Sequence, residues 1–258
     1  MIIDDISISD LSQDLVLAFA LIVFRVGAAM ALLPAFGEQV VPVRIKLGAT
    51  MAFSAIIAPF VIDEASAALS QADFIELIGP EVVAGLAFGF LFRALVFALQ
   101  IAGSVAAQAT SLSQFFGGGL GIDPQPAFST LLVVAGLCLA VLLGLHIRII
   151  ELFALSYEVF PVGTWAAPAG LADWGVEQSA RAFGLGFTLA GPFVLVSLIY
   201  NLGLGVINRA MPQLMVALVG APAISFGALL ILLLASPLIL SVWGQTFIRI
   251  ASPEGAGF

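Results

Sequence analysis

Few side chains in this sequence could do chemistry, and most of them can only form contacts. The stretch Tyr200–Gln213, reading YNLGLGVINRAMPQ, sets Asn201, Asn208, Arg209 and Gln213 beside Pro212 and a Gly203/Gly205 pair, between two long apolar runs. An unpaired amide or guanidinium in hydrocarbon costs several kcal/mol, so these groups must face protein, water or a pore. Arg25 poses the same problem inside LVLAFALIVFRVGAAMALLP. It is expected to meet carbonyls or a carboxylate of another helix or another chain.

A second polar set lies on one helical face. At 100° per residue, Arg93, Gln100, Ser104, Gln108 and Ser111 fall within a sector of about 80°. Such a stripe either supplies interhelical hydrogen bonds in a packed bundle or lines an aqueous passage. It leads into Gln114-Phe115-Phe116-Gly117-Gly118-Gly119-Leu120-Gly121. That run has neither the lysine nor the Ser/Thr of a phosphate-binding loop. It reads as a turn, or as an apolar plug whose rings swing on a glycine hinge.

Bond-making chemistry finds no constellation. His146 is the only histidine, and no cysteine cluster or HExxH accompanies it, so no metal site is expected. Cys138, in LLVVAGLCLAVLLG, is expected to be a small packing residue. Nucleophile elbows, Ser/Lys dyads and paired intramembrane carboxylates are absent from the pattern. The sequence therefore predicts neither an enzyme nor a cofactor, and it supports active transport by this chain alone poorly.

The elements that must position these groups follow from composition. Of 258 residues, 62% are hydrophobic and 9% charged, against about 25% charged in globular proteins. So few charges cannot cover a soluble surface, and the predicted class is an all-α integral membrane protein. Six runs approach the roughly 20 apolar residues a span needs: Leu15–Leu33, Leu47–Ile62, Val82–Ala106, Phe128–Ile147, Ala182–Leu204 and Leu214–Trp243. Pro222 and Pro237 mark breaks in the last.

Between the runs, Asp63–Glu81 and Glu151–Glu177 read as acidic loops, whereas Arg44, Lys46 and Arg209 mark basic ones. Positive-inside counting puts the acidic N-terminus outside and the Arg44/Lys46 and Arg209 loops inside, and an even segment count places the C-terminus outside. Gly85/Gly89 and Gly184/Gly186/Gly191 read as helix-crossing positions. MIIDDISISDLSQD lacks a basic n-region, so no cleavable leader is expected. The net charge of −8 argues against nucleic acid.

Three stretches carry a resemblance. RVGAAMALLPAFGEQVVPVRIKLGATMAFS (Arg25–Ser54), HIRIIELFALSYEVFPVG (His146–Gly163) and LAGPFVLVSLIYNLGLGVINRAMPQ (Leu189–Gln213) resemble, in order and spacing, the signatures of the FliR family of type III export-gate proteins, injectisome counterparts included. The resemblance implies a one-copy subunit of the bacterial inner membrane and flagellar basal body. It would assemble with FliP-like, FliQ-like and FlhB-like subunits into a closed helical pore for unfolded export substrates. Residues 1–178 would be the FliP-like part and 179–258 a FliQ-like hairpin.

By that likeness Gln100, Ser104, Gln108, Phe115, Phe116, Gly117, Gly118 and Gly119 are pore or plug candidates. Arg25, Arg93, Asn201, Asn208, Arg209, Pro212 and Gln213 are subunit-interface candidates. The chain departs from the family wording at Ala102-Gly103-Ser104, Gln108-Ala109-Thr110 and Leu214-Met215-Val216-Ala217. A self-contained small-solute transporter is the competing class, and it would be expected to show an inverted repeat. None is evident.

Overall fold

The computed structural model describes residues 8–38, 40–109, 127–210 and 216–251. Among them it contains seven α-helices and no strand: α1 (Ile8–Leu32), α2 (Val43–Leu69), α3 (Phe74–Ala109), α4 (Ala127–Leu142), α5 (Leu145–Val159), α6 (Pro168–Ala210) and α7 (Val216–Ile250). Five are long and apolar enough to cross a membrane, or six spans when the bent α4–α5 pair counts as one. The protein is an all-α, multi-pass membrane protein.

Several helices outrun the apolar runs that predict them, for identifiable reasons. Asp63–Glu81 is not a loop: Asp63 and Glu64 extend α2 on its exposed side, and Glu76 and Glu81 lie in α3. Only residues 70–73 interrupt the two helices, because exposed acids within an Ala/Ser-rich stretch do not end a helix. Pro168 starts α6 well before Ala182, at the first helical position where a missing N–H costs nothing.

Conversely, the expected single segment Phe128–Ile147 is two helices. Gly144 adopts a left-handed φ of 82°, and the axis turns by 72° there. The second helix takes in Glu151–Val159, which the loop reading had excluded. Pro222 and Pro237 do not break α7, which is continuous from Val216 to Ile250.

The chain forms two compact units. One takes Met1–Ala94, Gly144–Gln178 and Ile248–Phe258; the other takes Leu95–Leu143 and Ser179–Phe247. In the first unit, α1 packs on α2, and α2 on α5, through the buried face Thr50, Ser54, Ile57, Val61 and Ala65. α1 and α3 cross where Gly85 lies on the Arg25 carbonyl and Gly89 on that of Ala29, so a Cβ at either would meet backbone. These are the close approaches that small-xxx-small spacing allows.

In the second unit the C-terminal half of α3 is the hub. Gly103 lies against the backbone of Ser129 on α4, and Gly186 of α6 against Ile101 and the Ala98 carbonyl. Trp243 of α7 donates from Nε1 to the Leu95 carbonyl at 2.9 Å. Phe128 and Phe193 pack with ring centroids 6.0 Å apart.

Candidate functional site

The densest polar constellation lies inside the first unit. Arg25 of α1 grips Glu81 of α3 in a two-pronged fork, Nε to Oε2 at 2.8 Å and Nη2 to Oε1 at 2.9 Å. Their side chains are 1% and 0% exposed. Nη2 also donates to the Phe160 carbonyl at 2.8 Å, and Nη1 to Ser156 Oγ at 3.2 Å. The Tyr157 ring lies 3.7 Å from the guanidinium carbon. This is the cation–π arrangement that a planar guanidinium favours.

Glu81 ties in one more segment. Its Oε1 accepts the Gly163 N–H at 3.1 Å. Gly163 has φ 74° and lies against Leu77, so a side chain there would be strained and crowded. Trp165 covers Gly79 in the same way. The network therefore fastens α1, α3, α5 and the 160–165 connection with hydrogen bonds that neutralise both buried charges. With four donations filled, the guanidinium has little left to act on a substrate. The arrangement binds and holds.

Two of the signature stretches meet here, since Arg25 opens one and Ser156, Tyr157 and Gly163 close another. Arg25 was expected to meet carbonyls or a carboxylate of another helix or another chain; here Glu81 and the Phe160 carbonyl of its own chain meet it. Glu81 is the residue that sequence reasoning missed. The usable signal was its spacing: Glu81, Gly85 and Gly89 repeat every fourth residue on one face of α3, and the two glycines face α1 at Arg25 and Ala29.

The other predicted residues are not brought into this network. Arg93 is half-buried and pairs with Glu38 at 2.6 Å. Gln100 and Ser104 are half-buried and Gln108 is exposed, in the C-terminal half of α3. Ser129 donates to the Gln100 carbonyl at 3.3 Å, leaving the Gln100 amide uncommitted among the described residues. Asn201 and Arg209 are exposed on α6. Asn208 lies on the same helix, but its side chain is outside the described set. Phe115, Phe116, Gly117, Gly118, Gly119, Pro212 and Gln213 lie outside the described residues.

Fold and site together define a class: a multi-pass helical membrane protein whose buried Arg25–Glu81 pair fastens its helices and whose Gln108, Asn201 and Arg209 are exposed. The chain belongs to the bacterial export proteins, family 1, whose family model matches residues 16–250. Among its relatives is the flagellar biosynthetic protein FliR of Caulobacter vibrioides, 31% identical over 88% of this chain and 92% of that protein. FliR of Aquifex aeolicus is 30% identical over 92% of each chain. The Yop proteins translocation protein T of Yersinia pestis is 24% identical over 95% of this chain and 96% of its own length. These names describe biosynthesis of flagella and translocation of proteins; none describes an enzymatic reaction.

Proposed function

We propose that the chain is a subunit of the flagellar type III protein export gate, helping to form and close the channel through which unfolded flagellar proteins cross the inner membrane. The observation that carries this reading is the end-to-end likeness to proteins named FliR, 31% identical over 92% of the Caulobacter chain. A virulence-type injectisome subunit is the second reading, favoured by the near full-length likeness to the Yersinia translocation protein at 24% identity. The higher identity to the flagellar proteins favours the flagellar branch.

In this reading the partners are FliP-like, FliQ-like and FlhB-like subunits. Residues 1–178 act as the FliP-like part and 179–258 as the FliQ-like hairpin. Gln100, Ser104 and Gln108 face the passage, a role supported by the exposure of Gln108. Phe115 and Phe116, on the Gly117-Gly118-Gly119 hinge, contribute the plug. Asn201, Asn208, Arg209, Pro212 and Gln213 contact neighbouring subunits, supported by the exposure of Asn201 and Arg209. Arg93 is a further candidate for contact with a neighbouring subunit.

Deletion of the gene is expected to abolish secretion of flagellar substrates and leave cells without filaments. A Gln108→Cys variant in the complementing gene should cross-link to a substrate stalled during export. Normal filaments in the deletion strain would refute the reading.

A further inference from the structure

We infer that Arg25 and Glu81 act as a clasp: the buried pair holds the 160–165 connection in one conformation, and with it the start of α6, and is not what joins α1 to α3. Those two helices meet without it. Gly85 lies on the Arg25 carbonyl and against Ala28, and Gly89 on the Ala29 carbonyl and against Leu32. Apolar residues in place of the two charges would leave that backbone approach intact. A buried ion pair is also a poor source of net stability, since well-packed apolar residues of similar volume do as well or better. What apolar residues cannot supply is a hydrogen-bond donor and an acceptor.

The pair spends one of each on the connection. Arg25 Nη2 donates to the Phe160 carbonyl at 2.8 Å, and Glu81 Oε1 accepts from the Gly163 N–H at 3.1 Å. The two anchored groups bracket Pro161 and the buried Val162. Thr164, next in the chain, keeps its N–H and hydroxyl within the turn, both on the Pro161 carbonyl, at 3.1 and 2.7 Å. Gly163 holds φ 74°. A glycine samples positive and negative φ about equally, so the bond to Glu81 selects the conformation seen. Beyond it Trp165 lies over Gly79, and Pro168 opens α6. Without the pair, the Phe160 carbonyl and the Gly163 N–H lose these bonds in a part-buried place, and the connection must shift to hydrate them. The inference concerns contacts within the chain and stands apart from the export reading.

The test is hydrogen exchange of the full chain, with its co-purifying subunits, in mild detergent, read at the Gly163 amide by mass spectrometry with fragmentation. In the unaltered protein this loop amide should be protected. In Arg25→Met/Glu81→Leu it should exchange about tenfold faster, the loss of one charge-assisted hydrogen bond, while the amides of α1 and of α3 around Gly85 keep their rates. Arg25→Met/Glu81→Gln restores an acceptor oxygen without a charge, and it should slow Gly163 again relative to the apolar double variant. A space-filling role would not separate the two. Free exchange of Gly163 in the unaltered protein, which needs no variant to fold, would overturn the inference. So would an unchanged rate in the apolar double variant, or equal rates in the two double variants. Loss of protection in α1 and α3, or failure of both double variants to accumulate, would make the pair a brace between those helices and overturn it as well.

Discussion

Arg25 and Glu81 each sit where a lone charge would cost about 2.5–3.5 kcal/mol in the middle of a membrane helix. Together they satisfy one another, so removing one is worse than removing both. Arg25→Met or Glu81→Leu alone should destabilise the chain by about 3–5 kcal/mol, while the double variant should recover most of that loss. Thermal unfolding in mild detergent, followed by tryptophan fluorescence, reads the difference; a double variant no better than the singles would refute it. Tyr157 gives a finer test. Its ring covers Arg25, but its hydroxyl has no hydrogen-bond partner among the described residues. Tyr157→Phe is therefore expected to be near neutral in the same assay, and Tyr157→Ala to lower the midpoint clearly. At this scale the need for a partner to Arg25 was legible, because a guanidinium in an apolar run cannot stand alone. The partner's identity was not, because Glu81 follows Asp63, Glu64, Asp73 and Glu76 in sequence and reads as the last acid of a loop.

Among the elements, α3 has the most buried span, and the glycines separate closed surfaces from open ones. Gly85 and Gly89 touch α1 backbone, and Gly103 touches that of α4, whereas Gly184 and Gly191 of α6 meet nothing within 4 Å. Gly85→Val should therefore prevent accumulation of folded chain, as overpacking against backbone does. Gly191→Ala should leave the isolated chain unchanged, which detergent-solubilised yield and elution profile would check. Equal yields for the two would contradict the packing described for α1 and α3. Apolar periodicity gave the cores of the helices, but their ends proved less legible. Polar residues continue α2 and α6 beyond the apolar runs because helix propensity does not require hydrophobicity. The Gly144 break was hidden, since a glycine within an apolar run signals packing as readily as a left-handed turn. Pro222 and Pro237 signalled breaks that α7 does not make; a proline inside a membrane helix is tolerated where neighbouring groups satisfy the freed backbone.

For the whole molecule, 67% of the span window of α3 is buried within the chain, but only 33% of that of α6 and 22% of that of α7. Leu195, Leu198, Ile199, Leu202 and Val206 are exposed along α6, and Leu229, Leu233, Leu234 and Leu238 along α7. Surface this apolar belongs against lipid or other subunits. Asn201 and Arg209 interrupt it on α6 as lipid-facing groups rarely do, which favours subunits along part of it. The sequence made this need visible through Tyr200–Gln213, although nothing within one chain names the neighbours. The most direct measurement is a pull-down of the tagged chain from its native membrane in mild detergent, with the bound proteins identified by mass spectrometry. Co-purification with FliP-like and FliQ-like subunits is the expected result. Recovery of the chain alone, as a stable, monodisperse monomer or homodimer, would contradict its role as an export-gate subunit and return the transporter class to consideration.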